Sequence, residues 1–226
     1  MITTNVNTMT VATTGGTPLA GLGNPAPAAA GIHELIRERW SPRAFSGVPV
    51  SRERLNVLLE AARWAPSSMN EQPWRFLLAN RRDDPEGHAR IASTLVPFNA
   101  AWASRAPVLT IVAAKTAFTH NGAANHSAYH DVGQAVALFT LQATAFGLAI
   151  HQMGGFDRDR ARLLLDIPDG YEPVVALALG YPGDAGELSL EMRARETAPR
   201  TRRPASEWVY GGRWSEPLPP TTESVQ

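Results

Sequence analysis

The chain has 226 residues, 44% hydrophobic and 19% charged, the balance of an ordinary globular protein long enough to bury a core of its own. Its 21 Lys and Arg cancel 21 Asp and Glu, so no global field draws it to nucleic acid or an anionic membrane, and any anion site must be local. Without cysteine, disulfides, thiolate nucleophiles, iron–sulfur clusters and cysteine-ligated zinc are excluded, and redox chemistry would need a bound cofactor.

Residues 1–30 are rich in Thr, Ala, Gly and Pro without sustained period, which predicts a flexible leader or an arm that orders against another surface. They lack the basic region and apolar run of a signal peptide, so the cytoplasm is the default compartment. A domain is expected over 31–215. Within it, Ile32 to Trp40 reads as a short helix broken before Pro42. Ser51 is a plausible N-cap for a second helix, with Leu55, Leu58, Leu59 and Ala62 on one face, closing before Pro66.

Trp74 to Ala79 reads as a strand, Pro85 to Ala103 as a helix, and Val108 to Ala114 as a buried strand. Ser127 to Phe146 is apolar on most faces, which predicts a helix buried in the core or against a second subunit. Gln134, Thr140, Gln142 and Thr144 argue against a membrane span there. Leu148 to Met153 follows as a strand, Asp157 caps a helix ending near Leu165, and Val174 to Leu179 is a further buried strand. Pro217, Pro219 and Pro220 mark an irregular tail over 216–226. Alternating helices and strands without internal repeats predict an α+β or mixed α/β sandwich, a central sheet with flanking helices.

Two segments concentrate chemistry. Arg39, Trp40, Ser41, Pro42 and Arg43 set two guanidiniums and a hydroxyl close enough to converge on one phosphate. The same run also suits a helix end whose basic residues complement the dipole. Ala65 to Trp74 packs Ser67, Ser68, Asn70 and Gln72 between Pro66 and Pro73, more polar constraint than a plain connector needs. His126 and His130 share a helical face and could ligate a metal with Asp131 or His120, but no third-ligand motif accompanies them, so no metal site is expected. Lys115, the only lysine, has no evident partner.

Arg37 to Phe45 (RERWSPRAF), Pro49-Val50 and Leu58 to Phe76 (LLEAARWAPSSMNEQPWRF) resemble the opening signature of the nitroreductase-like flavoprotein family. The resemblance resumes at Gly147-Leu148, Gly154 to Asp157, Leu165 to Tyr171 and Leu179 to Pro182, and at Arg202-Arg203-Pro204. Together these motifs cover about residues 32–215 in order.

The resemblance implies FMN bound at the interface of a homodimer, with NADH or NADPH as electron donor. By it, Arg39, Trp40, Ser41 and Arg43 bind FMN, the outer arginines reaching the phosphate and the pyrimidine edge. Pro66, Ser67, Ser68, Asn70 and Gln72 form the loop along the flavin, often from the second subunit. Asn99 matches an amide at the pyrimidine edge. Met153, Gly154 and Gly155 border the ring, with the Gly155 N–H near flavin N5, and Arg200 and Arg202 close on the phosphate.

In this reading hydride passes through N5 and no side chain is named as a nucleophile or general acid. Nitroaromatics, quinones and related small oxidised compounds are the implied substrates. Dehydrogenation or dehalogenation on the same scaffold, or FMN carriage without turnover, are the alternatives. Two positions depart from the pattern: Trp102 stands where some members carry a lysine, and Gly154 where some carry an acid. The variable part of the pocket is expected within 116–125 and 193–198.

Overall fold

Four apolar runs form one antiparallel sheet in the computed structural model, which describes residues 23–28 and 31–218. The strands are β1 (Trp74–Asn80), β2 (Val108–Lys115), β3 (Ala149–Met153) and β4 (Tyr171–Gly180), in the order β1-β2-β4-β3. Alternation sends Val108, Val112, Leu177 and Leu179 to one face and Leu109, Ile111, Ala176 and Ala178 to the other. Helices cover both faces, so the inner strands read as continuous apolar runs.

One face is covered by α2 (Arg52–Arg63) and α5 (Ala128–Ala145). Ser51 caps α2 as predicted, its hydroxyl accepting the Arg54 N–H at 3.3 Å, and Leu55, Leu58 and Ala62 point into the core. Helix α5 buries Val132, Ala135, Val136, Phe139 and Ala143. Its buried Thr140 and Thr144 bond the carbonyls of Val136 and Thr140 at 2.7 and 3.0 Å, which satisfies polar groups inside an apolar layer. Tyr129, Gly133 and Ala137 remain exposed on its outer side. Among the described residues, no helix is long and apolar enough to cross a membrane.

The opposite face carries α3 (Pro85–Ala92), α4 (Pro97–Ala103) and α6 (Arg158–Leu164), the last capped by Asp157 as expected. The single helix predicted over Pro85 to Ala103 is two. Pro97 has no N–H to donate and opens α4 at its first turn, so the chain between turns outward. That break pairs with the segment after β3: Leu95 bridges Phe156, the Asp157 N–H donates to Thr94 O at 2.8 Å, and the Val96 N–H donates to Gly155 O at 3.2 Å. Asn99 Nδ2 adds a bond to Gly155 O at 2.9 Å.

Helix α1 (Glu34–Glu38) is shorter than the predicted 32–40, and α7 (Leu190–Thr197) was not predicted. Of the predicted leader, residues 1–22, 29 and 30 lie outside the described residues, as do 219–226 of the tail. Residues 23–28 are held in place: the Ala26 N–H donates to Arg37 O at 2.9 Å and Asn24 Nδ2 to Ala198 O at 3.0 Å. The start of the tail also pairs back, through the bridge between Tyr210 and Pro217.

A Cβ at Gly155 would stand 2.7 Å from Asn99 Nδ2 and 3.1 Å from Val96 Cγ2, whereas one at Gly154 meets nothing within 4 Å. Gly155→Ala is therefore expected to cost about 1–3 kcal/mol in urea denaturation, as overpacking does. Gly154→Ala should stay within about 0.5 kcal/mol. Equal losses would refute a junction built around Gly155.

Candidate functional site

Arg39 leaves α1 with its N–H still bonded to Leu35 O at 3.0 Å, and Pro42 then keeps the chain extended. Arg39 Nη1 donates to Ser41 Oγ at 3.1 Å. The C-terminal segment brings two more guanidiniums to the same place. Arg200 Nη1 donates to Asn24 O at 2.9 Å and Arg37 O at 3.2 Å, tying residues 23–28 to the end of α1, while Arg202 Nη1 donates to Thr201 O at 2.7 Å.

Arg39, Arg200 and Arg202 line a cleft of about 580 Å³ whose apolar wall includes Pro27, Ile32 and Ile36. They also line a second cleft of about 330 Å³ shared with Trp40, Ser41, Arg43 and Arg195. Burial, then the neighbouring Arg200 and Arg202 charges, push the Arg39 pKa below its usual value. Burial, then Arg202, do the same to Arg200, with Glu38 opposing. Among the described residues none of these three cations has an ion-pair partner. Three guanidiniums converging on one cleft form an arrangement that can hold an anion.

Arg43 is held differently. Both oxygens of Glu196 accept its backbone N–H at 2.9 Å, and Oε1 accepts the Ala44 N–H at 3.1 Å. Arg43 Nε and Trp40 Nε1 are buried donors without acceptors among the described residues. On the other side His151 Nδ1 lies 2.9 Å from Pro42 O, and its ring packs on Trp102 at a tilt of 45° with centroids 4.5 Å apart. Trp102 is 1% exposed and stacks on Phe45, so the departure from lysine alters the core beneath β3 and not the lining of the clefts.

The loop between Pro66 and Pro73 is a separate construction. Met69, Asn70 and Gln72 all adopt the left-handed conformation, with φ of 53°, 53° and 50°. Three such non-glycine residues in four store strain that surrounding bonds must hold. The Ser68 N–H donates to buried Asp131 on α5 at 3.0 Å, the Gln72 N–H to Ser67 Oγ at 3.0 Å, and Gln72 Nε2 to Asn70 Oδ1 at 3.1 Å.

Glu71 anchors the loop outward. It pairs with Lys115 at 3.0 Å and accepts the Thr119 N–H at 2.9 Å as well as the Thr119 hydroxyl. The Thr119 hydroxyl and backbone bonds, then Lys115, hold its pKa at about 2. Lys115 thus has the partner that the sequence did not reveal, and Asp131 is a loop anchor. Among the described residues no cluster of possible metal ligands forms.

The structure therefore gathers the predicted site residues into three groups. Arg39, Trp40, Ser41, Arg43, Arg200 and Arg202 share one pair of clefts. Gly155 is bonded to Asn99, next to Gly154 and the buried Met153. Pro66, Ser67, Ser68, Asn70 and Gln72 form the strained loop, and among the described residues of one chain no hydrogen bond joins that loop to the other two groups. Glu196, His151 and Glu71 were missed. A histidine inside the apolar run Leu148 to Met153 was a readable signal, whereas Glu196 on a polar helix gave none.

Burial, as the largest cause, lowers the His151 pKa to about 4. A depressed folded value against about 6.5 in the unfolded chain means its contribution to stability is complete above about 6.5. It is lost as pH falls from there to about 4. Denaturation midpoints should decline across that window, and His151→Gln should flatten the decline; an unchanged pH profile in the variant would sink this assignment.

The sequence profile described as "Nitroreductase family" matches residues 36–181. A solved structure named as an oxidoreductase containing FMN is 34% identical with a TM-score of 0.79, over 84% of this chain and 96% of that one. An NADH dehydrogenase of Thermus thermophilus is 29% identical over 181 residues, 66% of this chain and 85% of the relative. A 15.4 kDa protein of Mycolicibacterium smegmatis is 36% identical over 88 residues, and there the match spans 59% of the relative and 39% of this chain. On this breadth of agreement, which runs from α1 to the end of β4, the chain belongs to the nitroreductase family.

Proposed function

We propose that this member of the nitroreductase family, a flavin-dependent oxidoreductase, holds FMN across a homodimer interface and uses NADH or NADPH to reduce nitroaromatics, quinones or similar small oxidised compounds. The observation that carries the reading is the cluster of Arg39, Arg200 and Arg202 along one cleft, mutually repelling charges without ion-pair partners among the described residues. A doubly anionic phosphate relieves that repulsion, and the uncommitted donors of Arg43 and Trp40 supply further contacts. A solved relative named for the FMN it contains supports the choice of cofactor.

The chemistry such a cofactor supplies when bound is hydride transfer between a nicotinamide and an oxidised substrate. The chain's own residues bind and orient. Arg39, Ser41, Arg200 and Arg202 would hold the phosphate, and Arg43 would offer positive charge at the pyrimidine edge. Gly154, with open space where a Cβ would stand, leaves room beside the ring. Asn99 spends its Nδ2 on Gly155 O, so in this reading it shapes the Gly155 backbone as well as facing the cofactor.

The domain over 31–215, with 23–28 strapped onto it, carries one arginine-lined pair of clefts and one strained loop per chain. In the dimer the Pro66 to Gln72 loop of one subunit would face the clefts of the other, which accounts for the lack of hydrogen bonds between them among the described residues of one chain. The exposed small residues Gly133 and Ala137 on α5 suit close approach of a second copy.

Purified protein reconstituted with FMN should be yellow and should oxidise NADH or NADPH in the presence of a quinone or nitroaromatic. Arg39→Ala should weaken FMN binding by about ten- to a hundredfold in a fluorescence titration, the worth of a charge-assisted bond. Refusal of FMN by the wild type would overturn the proposal; FMN binding without nicotinamide oxidation would favour a carrier. Sedimentation should give twice the 24.4 kDa chain mass. A monomer that still holds FMN would refute the shared site.

A further inference from the structure

Glu196 lies near the end of α7, 4% exposed, and its three short hydrogen bonds go to backbone N–H groups of Arg43 and Ala44. Its Oε2 stands 3.8 Å from Arg43 Nη1, too far for a hydrogen bond but within strong Coulombic range. Arg43 Nε is buried without any partner. The carboxylate thus grips the residue by its main chain and leaves the guanidinium's donors uncommitted.

The grip is itself braced. Asn24 Nδ2 donates to the Glu196 and Ala198 carbonyls at 3.2 and 3.0 Å, fixing the end of α7. The Arg195 guanidinium sits 5.4 Å from the Phe98 ring centroid, tying α7 to α4. From the sheet side His151 holds Pro42 O. The stretch from Pro42 to Ala44 is therefore clamped between β3 and α7, and the Arg43 head group is left without a hydrogen bond of its own among the described residues.

We infer that Glu196 is a positioning residue that also tempers the Arg43 charge, and so sets how strongly the site favours the reduced, anionic form of FMN over the oxidised form. This rests on the cofactor reading above. An amide would satisfy the same backbone N–H groups with one oxygen, so burying a charge there adds only its field. That field opposes the guanidinium wherever negative charge develops on the cofactor, and such neighbours tune a flavin's electronics.

The test compares full-length wild type and Glu196→Gln, each loaded with FMN, for the ratio of oxidised to reduced FMN dissociation constants from a spectroscopic redox titration. Glu196→Gln should bind reduced FMN relatively more tightly, raising that ratio on the order of tenfold, with a higher midpoint potential. Equal weakening of both redox forms, or an unchanged ratio, would reduce Glu196 to a structural tie and overturn the inference. Should the glutamine variant fail to fold, Glu196→Asp serves: it keeps the charge but draws it back from Arg43, and a smaller rise in the ratio is expected, with no rise overturning the inference. Wild type that takes up no FMN would overturn both readings, whereas FMN bound with an unmoved ratio overturns this one alone.

Discussion

Mutual repulsion among Arg39, Arg200 and Arg202 is the constraint around which the half of the molecule that carries the two clefts is organised. Like charges in a partly buried cleft separate unless something holds them, and here backbone does so. Arg200 is fixed by the carbonyls of Asn24 and Arg37, Arg39 continues from the end of α1, and α7 delivers the segment that carries both C-terminal arginines. The sheet serves this assembly by presenting His151 under Pro42, and the broken helix by presenting Asn99 under Gly155.

The second half is organised around strain. Met69, Asn70 and Gln72 stay in a costly conformation because Asp131, Ser67 and the Glu71 latch hold the backbone on either side. Lys115 ends β2 and Thr119 follows it, so the latch joins the loop to the 116–125 segment where substrate selectivity was expected. A change in that segment would be felt in the loop through Glu71. The loop is rigid by its partners and not by its own composition.

Local chemistry was legible wherever its cause was local. Ser51 and Asp157 are caps because their side chains bond N–H groups three residues on, and the two prolines around Ser67 to Gln72 bracket the loop that the sequence marked. Even the split between α3 and α4 was written in Pro97, although the apolar spacing on both sides concealed it. What stayed hidden depends on distant pairs. Glu196 meets residues more than 150 positions away, and Lys115 meets Glu71 across 44, so neither the carboxylate nor the lysine carried a pattern nearby. The family motifs drew attention to Arg39, Ser41 and Arg43 but not to what steadies them.

The lowered pKa values of Arg39 and Arg200 explain a choice of residue type. A lysine crowded in the same way would start its shift from a lower value, about 10.4, and so stand nearer to losing its charge. Guanidinium starts so high that crowding and burial leave it charged. The only lysine of the chain stands outside both clefts, against Glu71. An all-arginine cleft keeps its own positive charge under conditions in which an all-lysine one would begin to lose it.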